Sequence, residues 1–294
     1  DTAGFIQQVQ AVTPTVTSIT PSTGLNTETL SITDLQGTGF GSGATVKLEK
    51  TGETAIVGTS VTVVDATQIT CQFDLNGAAV GLWDVTVTNR DAQSGTLADG
   101  FEVLAGDISP PDITAWQVSA VHGGGVGELR TGLTDGTSEC RTIAVDCLVV
   151  HFDEALDVAT FTPSAVSIIG VTNGDQSSLV SSVTLEGDGS TARITLSDTL
   201  PEPDRYTVTI SDTVCDPAGN ALGGDRDVEM ICLDGDANGN GTVDIGDTLA
   251  VRAKYGEAVD VTTWRSDVNG NGSIDIGDVL AVRARYGHRA PAAQ

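Results

Sequence analysis

The sequence predicts a mainly β protein, with two antiparallel β-sandwiches in tandem followed by a small α-helical module. Apolar and polar residues alternate through most of the chain, with turn-forming residues about every ten positions, as in antiparallel sandwiches. The composition includes 35 glycines and only 4% aromatic residues, which favours short strands and many turns. Near the C-terminus, a stretch that begins at Asp236 recurs 31 residues later at Asp267, and both copies end in a helix-like segment.

Residues 1–13 form an N-terminal extension. Phe5, Ile6, Val9 and Val12 make this segment apolar without a clear period. Such a segment is a candidate donor strand, which would complete a sheet of a neighbouring molecule by strand addition.

Residues 14–105 are predicted to form the first sandwich. Its strands are TVTSITP, ETLSITDLQGTGF, ATVKLEK, SVTVVDATQITCQF, LWDVTVTNRD and GFEVL. Four short elements are similar to those of an IPT/TIG immunoglobulin-like domain, and they contain Pro21, Gly24, Gly37, Phe40, residues 83–89 and Phe101. That resemblance implies a spacer or binding fold without a catalytic signature.

Residues 106–233 are predicted to form the second sandwich, after a stiff linker around Pro110 and Pro111. The glycine-rich segment HGGGVGE, at residues 122–128, opens a stretch expected to be irregular as far as Cys140. Two signatures resemble those of bacterial Ig-like domains in surface-layer and adhesion proteins, and they contain Phe152, Glu154, Asp157, Asp216, Ala218, Gly219 and Asn220. The last strand leads directly into the repeat, so the final module is expected to be held rigidly against this sandwich.

Residues 234–294 contain the repeat and a short tail. Each copy has oxygen-bearing side chains at loop positions 1, 3, 5, 9 and 12, and position 7 offers a main-chain carbonyl. Ca²⁺ binds about six to eight oxygens, and glycine at position 6 (Gly241, Gly272) allows the sharp turn. The sequence therefore predicts two Ca²⁺ ions, with ligands from Asp236, Asn238, Asn240, Thr242, Asp244 and Asp247, and from Asp267, Asn269, Asn271, Ser273, Asp275 and Asp278.

The alternative for a run of Asp, Asn and Gly is a solvated turn, but two intact copies argue against it. Three carboxylates in each loop repel one another without an ion, so the metal-free module is expected to be loose or unfolded. Position 8 is apolar in both copies (Val243, Ile274), as expected if the loops pair side by side and bury it. The helices are predicted to follow at DTLAVRAKY and DVLAVRARY.

Two loop-plus-helix halves with Asp at position 12 resemble a type I dockerin module. Dockerins are non-catalytic and bind cohesin domains on scaffold proteins. The resemblance implies that positions 10, 11, 17 and 18 contact the partner, namely Ile245, Gly246, Arg252 and Ala253, and Ile276, Gly277, Arg283 and Ala284. The cellulosomal pattern often has a hydroxyl pair at positions 10 and 11, where this chain has Ile-Gly. Because the halves are nearly identical, a partner could dock in two orientations.

The charge and the apolar pattern exclude several classes of partner. The net charge is −26, which excludes nucleic acid and anionic membrane surfaces because both require basic patches. No apolar run is long enough to cross a bilayer. Calcium loops of this kind suit an environment with millimolar Ca²⁺, so we expect an extracellular or cell-surface protein whose signal peptide has been removed before Asp1.

Five cysteines are present and match no zinc or redox motif. Cys71 lies in an alternating segment and is expected to be a small buried residue, with an intermolecular bridge as the alternative. The four disulfide candidates allow two bridges and three connectivities; they are Cys140, Cys147, Cys215 and Cys232.

The sequence predicts no catalytic activity. The only histidines are His122, His151 and His288, of which His151 is expected to be exposed on a strand. No nucleophile elbow, P-loop or dinucleotide fingerprint is present. A carbohydrate-active accessory module is a further alternative, although the three tryptophans offer few platforms for sugar stacking.

Two non-catalytic hypotheses remain. In the first, the chain builds an extracellular filament or surface layer from copies of itself, with Ca²⁺ making the joints rigid. In the second, it is an accessory or adhesion component that docks onto a cohesin-bearing scaffold, as in a cellulosome. The first is favoured because a dockerin protein is expected to carry a catalytic or sugar-binding module, and the sequence shows none.

Overall fold

The structure is a computed structural model that describes residues 12–142 and 147–293. The chain divides into two compact units, Asp1–Asp107 and Ile108–Gln294. Most of the N-terminal extension, with its predicted donor strand, lies outside the described residues. Among those described, no helix is long and apolar enough to span a membrane.

The first unit contains a four-stranded sheet in the order β1-β3-β7-β6 and a five-stranded sheet in the order β2-β9-β8-β4-β5. Side chains from both sheets form one buried cluster, so the sheets pack face to face as a sandwich. All the sheet pairings in this unit are antiparallel except β2 with β9, which is parallel. The strands are β1 Thr15–Thr20, β2 Thr23–Leu25, β3 Thr29–Thr38, β4 Thr45–Glu49, β5 Ile56–Val57, β6 Thr59–Asp65, β7 Gln68–Asp74, β8 Gly81–Thr88 and β9 Ser94–Leu104.

Two of the predicted anchor residues have clear packing roles in this sandwich. A Cβ at Gly37 would lie 1.9 Å from the Thr15 carbonyl oxygen, so only glycine allows β1 to approach β3 here. Trp83 is buried, and its indole nitrogen donates a hydrogen bond to the Ala79 carbonyl at 2.8 Å, which satisfies its one polar atom.

The second unit begins with another sandwich. Its sheets have the orders β11-β10-β13-β17-β16 and β12-β19-β18-β14-β15, and they share one buried cluster. The strands are β10 Ile113–His122, β11 Gly127–Leu133, β12 Thr137–Glu139, β13 Cys147–Phe152, β14 Val166–Gly170, β15 Gly174–Asp175, β16 Val180–Glu186, β17 Thr191–Leu196, β18 Asp204–Ile210 and β19 Asp227–Cys232, with 3₁₀ turns at Pro163–Ala165 and Ser177–Leu179. The stretch expected to be irregular is mostly strand, because β11 pairs with β10 along its whole length and β12 pairs with β19.

Ion pairs cover the face of the second sandwich that points away from its core. Arg130 forms two hydrogen bonds with Glu186, at 2.8 and 2.9 Å, and Arg193 contacts both Glu186 and Glu128. These hydrogen bonds, first from Arg130 and then from Arg193, lower the pKa of Glu186 to about 2. The ionised form of Glu186 is therefore favoured by folding.

We expect the stability contribution of Glu186 to depend on pH. Because its folded-state pKa is depressed, the contribution is present above about pH 4.5 and is lost as the pH falls toward about 2. Glu186→Gln should destabilise the sandwich by on the order of 1 kcal/mol at pH 6, since partly exposed ion pairs are weak. Chemical denaturation of both proteins from pH 6 to pH 2 measures the difference, which should vanish at the acid end. A difference that is constant with pH would contradict this assignment.

The four predicted disulfide candidates are not joined, and none of the five cysteines forms a disulfide. Cys232 lies in the core of the second sandwich, whereas the Cys147 sulfur lies 2.9 Å from Arg193 Nη1 on the opposite face of its sheet. Cys140 is buried, with its sulfur 3.5 Å from the Arg265 carbonyl oxygen, and Cys215 is half-buried in a loop. Alternation of side chains along β13 and β19 thus directs the sulfurs of Cys147 and Cys232 to different faces.

Cys71 is buried in the first sandwich, as predicted, and burial raises the pKa of its thiol to about 12. A thiol with so high a pKa is protonated at neutral pH and is a poor nucleophile. This residue therefore behaves as a small core side chain.

Three residues separate the end of β19 from the first loop of the helical module, which begins at Asp236. The module consists of α1 Ile245–Arg252, a 3₁₀ turn at Trp264–Ser266 and α2 Ile276–Arg283. Ile231 in β19 and Leu233 just after it belong to the same buried cluster as the module's own apolar residues. The Leu233 amide also donates to the Glu139 carbonyl at 3.0 Å, so the entry to the module is hydrogen-bonded to β12.

Candidate metal centre

The first loop, residues 236–247, wraps around a buried carboxylate. Asp236 is inaccessible to solvent, and its Oδ1 and Oδ2 accept hydrogen bonds from the amides of Asn240 at 2.9 Å and Gly241 at 3.0 Å. Gly241 has φ of +79°, which glycine adopts at little cost. Position 6 is thus the sharp turn that the sequence predicted.

The second loop, residues 267–278, has the same path but a different environment at its first residue. Asp267 is also fully buried, and its Oδ2 accepts from the Gly272 amide at 2.9 Å. The same oxygen lies 2.6 Å from Nδ1 of His122. Asp267 Oδ1 is buried and has no hydrogen-bond partner among the residues that the structure describes. A buried, unpartnered carboxylate oxygen is costly unless a cation contacts it.

The last residue of each loop joins the loop to its helix. Asp247 accepts from the amides of Asn238 at 3.0 Å and Asp244 at 2.8 Å, and Asp278 makes the matching pair of bonds in the second loop. The position-9 residues, Asp244 and Asp275, are the N-caps, and each forms a capping box with position 12. Each helix therefore begins at position 10, two residues earlier than predicted.

The carboxylates of each loop are crowded and partly shielded from water. Burial raises the pKa of Asp247 and of Asp278, and the neighbouring aspartates at positions 1 and 9 raise both further. Like charges held together in this way favour either protonation or the binding of a cation. The predicted ligands offer oxygen atoms alone, which suits a hard divalent cation rather than zinc or copper.

The apolar position-8 residues are buried as expected, but their main-chain pairing differs from the prediction. Val243 O accepts from the Gly287 amide at 2.9 Å, and Ile274 O accepts from the Gly256 amide at 3.1 Å. Each loop is therefore hydrogen-bonded to the segment that follows the helix of the other half. This exchange ties the two halves together.

All eight predicted partner-contact residues are exposed or half-buried on the helices. Ile245 and Ile276 are each 61% exposed, so the two halves present them equally. Leu249 and Leu280, one helical turn further on, are each 58% exposed. Leu249 was not among the partner-contact residues predicted from the sequence, yet it points to solvent together with Ile245. Their spacing of four residues could have indicated this shared stripe.

The histidines are placed differently from the expectation. His151 is half-buried rather than exposed, because its ring nitrogens contact Thr191 Oγ1 at 3.2 Å and Gln117 Oε1 at 3.0 Å. His122, which sequence analysis placed in a glycine-rich loop, is the last residue of β10 and is buried against the second loop. The only feature of the sequence that pointed to this contact was that His122 precedes three glycines, which allow another backbone to approach closely.

Solved structures with similar segments include the N-terminal part of the bacterial S-layer protein SbsC. It is 24% identical over 42% of this chain, with a TM-score of 0.29, and the chain spans 24% of it. A chimeric titin Z1Z2 functionalised with a KLER exogenous peptide from decorin is 15% identical over 74% of this chain and 96% of its own, with a TM-score of 0.29. Dimeric latent PorU from Porphyromonas gingivalis is 11% identical over 76% of this chain and 24% of its own, with a TM-score of 0.25.

No curated protein matches the chain. A family model described as a bacterial Ig-like domain matches residues 135–229. These residues lie within the second sandwich, where the sequence had indicated the same resemblance. The second sandwich is therefore similar to the bacterial Ig-like domain family, and the mainly β fold class is confirmed.

Proposed function

We propose that this chain is a non-catalytic, extracellular Ca²⁺-binding structural protein whose helical module makes protein–protein joints, in an assembly built from copies of itself. The observation that carries the proposal is the buried Asp267 oxygen that has no partner in the described part of the chain, inside a loop of oxygen donors that occurs twice. Each loop would hold one Ca²⁺ ion through the six positions named above. The bound ion would neutralise carboxylates that otherwise repel one another.

The outer faces of the two helices support a role in docking. Ile245 and Leu249 form one exposed apolar stripe, and Ile276 and Leu280 form its counterpart. Exposed apolar side chains that recur in matched positions are typical of a surface that another protein covers. Arg252 and Arg283, exposed one turn further on, would give each stripe a polar end.

A structural role also agrees with the positions of the tryptophans, which could bind sugars, and of His151, which could act in catalysis. Trp83, Trp116 and Trp264 are buried and present no open ring face to a sugar. His151 is hydrogen-bonded within its sheet. The sandwiches then act as spacers that separate one joint from the next.

The second candidate function is docking onto a cohesin-like domain of a separate scaffold. It is favoured by the near-identity of the two exposed stripes, which matches the resemblance to dockerins. In that case the helical module would contact a different protein, and copies of this chain would not associate.

Particle size measured with and without Ca²⁺ distinguishes the two candidates. Light scattering and negative-stain microscopy of the purified chain are carried out in millimolar Ca²⁺ and then in excess EDTA. Filaments or sheets that dissolve in EDTA are the expected result. A monodisperse monomer that binds two Ca²⁺ ions would favour the scaffold, and a chain that binds no Ca²⁺ would contradict both candidates.

A further inference from the structure

A chain of buried polar side chains links the second sandwich to the second loop. Arg141 donates to both carboxylate oxygens of Glu139, from Nε at 2.7 Å and from Nη2 at 2.6 Å. Its remaining nitrogen, Nη1, lies 3.0 Å from Nε2 of His122, whose Nδ1 faces Asp267 Oδ2 at 2.6 Å. All four side chains are almost completely buried. These four residues are called the Glu139–Asp267 relay below.

The relay determines where the proton of His122 lies. A guanidinium can only donate hydrogen bonds, so Nε2 of His122 must accept from Arg141. Nδ1 then carries the ring proton and donates a hydrogen bond to Oδ2 of Asp267. Glu139 balances the charge of Arg141, which leaves the Asp267 carboxylate as the one uncompensated buried charge of the relay.

His122 also selects which oxygen of Asp267 is available to an ion. Oδ2 accepts two hydrogen bonds, from His122 and from the Gly272 amide, whereas Oδ1 has no partner within residues 12–142 and 147–293. In the first loop, the equivalent Asp236 receives hydrogen bonds on both oxygens from its own loop. The two loop sequences are nearly identical, but their first aspartates therefore differ in hydrogen bonding to the described residues: both oxygens of Asp236 accept, and only Oδ2 of Asp267 does.

Main-chain contacts hold the relay against the second loop. The Gly123 amide donates to the Gly270 carbonyl at 2.8 Å, and the Thr142 amide donates to the Val268 carbonyl at 2.7 Å. A Cβ at Gly272 would lie 2.2 Å from the Gly123 carbonyl oxygen, and one at Gly123 would lie 2.8 Å from the Asn271 carbonyl oxygen. The two backbones touch, so the sandwich and the second loop cannot move independently here.

The first loop has different support. The Ala290 amide of the C-terminal tail donates to the Gly241 carbonyl at 3.0 Å, and Val243 donates to the His288 carbonyl at 3.0 Å. This tail covers the rim of the first loop in the way that residues 123 and 124 cover the rim of the second. Its strand-like pairing with the first loop is one isolated bridge, Thr242 with Arg289, which is a weaker brace than the end of a strand anchored in a sheet.

We propose that His122, oriented by Arg141 and Glu139, is a positioning residue for the ion of the second loop, and that it couples this site to the second sandwich. The inference rests on the proposed function, because it takes Ca²⁺ as the ion. The second loop is then the tighter of two sites with almost the same sequence. Hydrogen-bond partners outside the ligand shell typically change metal affinity by about 10–100-fold.

Calcium titration calorimetry of the full chain at one pH tests the proposal. In His122→Ala, one site should weaken by about 10–100-fold while the other stays within about twofold. His122→Asn, whose amide can donate from nearly the position of Nδ1, should recover most of the loss. His151→Ala removes a histidine from the same sandwich without touching the loop, so both affinities should remain unchanged.

Assignment of the sites uses the first ligand of each loop. Asp267→Ala should remove the site that His122→Ala weakens, and Asp236→Ala should remove the other. Gly123→Ala should weaken the same site as His122→Ala by separating the backbones, whereas Gly132→Ala, whose added Cβ meets no atom within 4 Å, should have no effect. Because Gly123→Ala leaves every ligand in place, it keeps the proposal testable if His122→Ala folds poorly.

Hydrogen exchange supplies a readout at the contact itself. The Gly123 and Thr142 amides should exchange more slowly with Ca²⁺ than without it, and Asp267→Ala should abolish this difference while Asp236→Ala preserves it. Two sites with unchanged affinities in His122→Ala and Gly123→Ala would contradict this inference and leave the proposed function intact. Absence of Ca²⁺ binding by the unaltered chain would contradict the proposed function and this inference with it.

Discussion

Asp236→Ala combined with Asp267→Ala is expected to unfold the helical module and leave both sandwiches folded. Each change removes the buried first carboxylate around which its loop turns. A site held at one hundred times its dissociation constant stabilises the folded state by about 2.7 kcal/mol, so two sites supply on the order of 5 kcal/mol. That is comparable to the whole stability of a small domain. The apolar core of the module is small, includes Val251 and Val282, and cannot offset this loss.

Circular dichroism and calorimetry measure the result. The variant in Ca²⁺ and the unaltered chain in EDTA should both lose the signal of the two helices and one melting transition, and should keep the transitions of the sandwiches. Asp212→Ala is the matched control, because its side chain is 70% exposed and lies outside both loops. A variant whose helical signal and melting profile match those of the unaltered chain would show that the ions do not hold the module together.

Leu249→Asp combined with Leu280→Asp is expected to abolish assembly without unfolding the module. Each leucine is already 58% exposed, so a carboxylate there costs the folded monomer little. In a joint the same carboxylate would be buried without a partner, at a cost of about 2 kcal/mol or more at a central contact. If one joint buries both stripes, the two changes together should weaken association at least about 100-fold, and if it buries one stripe, about 30-fold.

Single variants test whether the two stripes are interchangeable. If a partner docks on either half, Leu249→Asp and Leu280→Asp should each retain association, and only the double variant should lose it. The measurement is particle mass by light scattering in millimolar Ca²⁺, with Ca²⁺ affinity as the check on folding. Val261→Asp is the control, because Val261 is 59% exposed but lies between the helices rather than on them. Assemblies that survive in the double variant would place the joint on another surface.

Most of the strands and both loops could be predicted from the sequence because they depend on neighbours along the chain. Alternation marks strands such as β7 and β8 since every second side chain faces the core. The two loops depend on glycine at position 6, which makes the turn, and on aspartate at position 12. The position-12 aspartate is the third residue of the helix and completes the capping box with the N-cap at position 9. These contacts join residues that lie within twelve positions of one another, so the local sequence is enough to predict them.

Features that depend on distant parts of the chain became visible only in the folded protein. Asp267 and His122 are 145 positions apart, and nothing in the local pattern of either residue indicates their contact. The cysteines are similar, because the face to which each sulfur points depends on strand register across two sheets. Leu249 faces solvent because the two half-modules cross over and bury Val251 instead. The loops therefore follow from local chemistry, whereas the support beneath the second loop follows from how the sandwich packs against it.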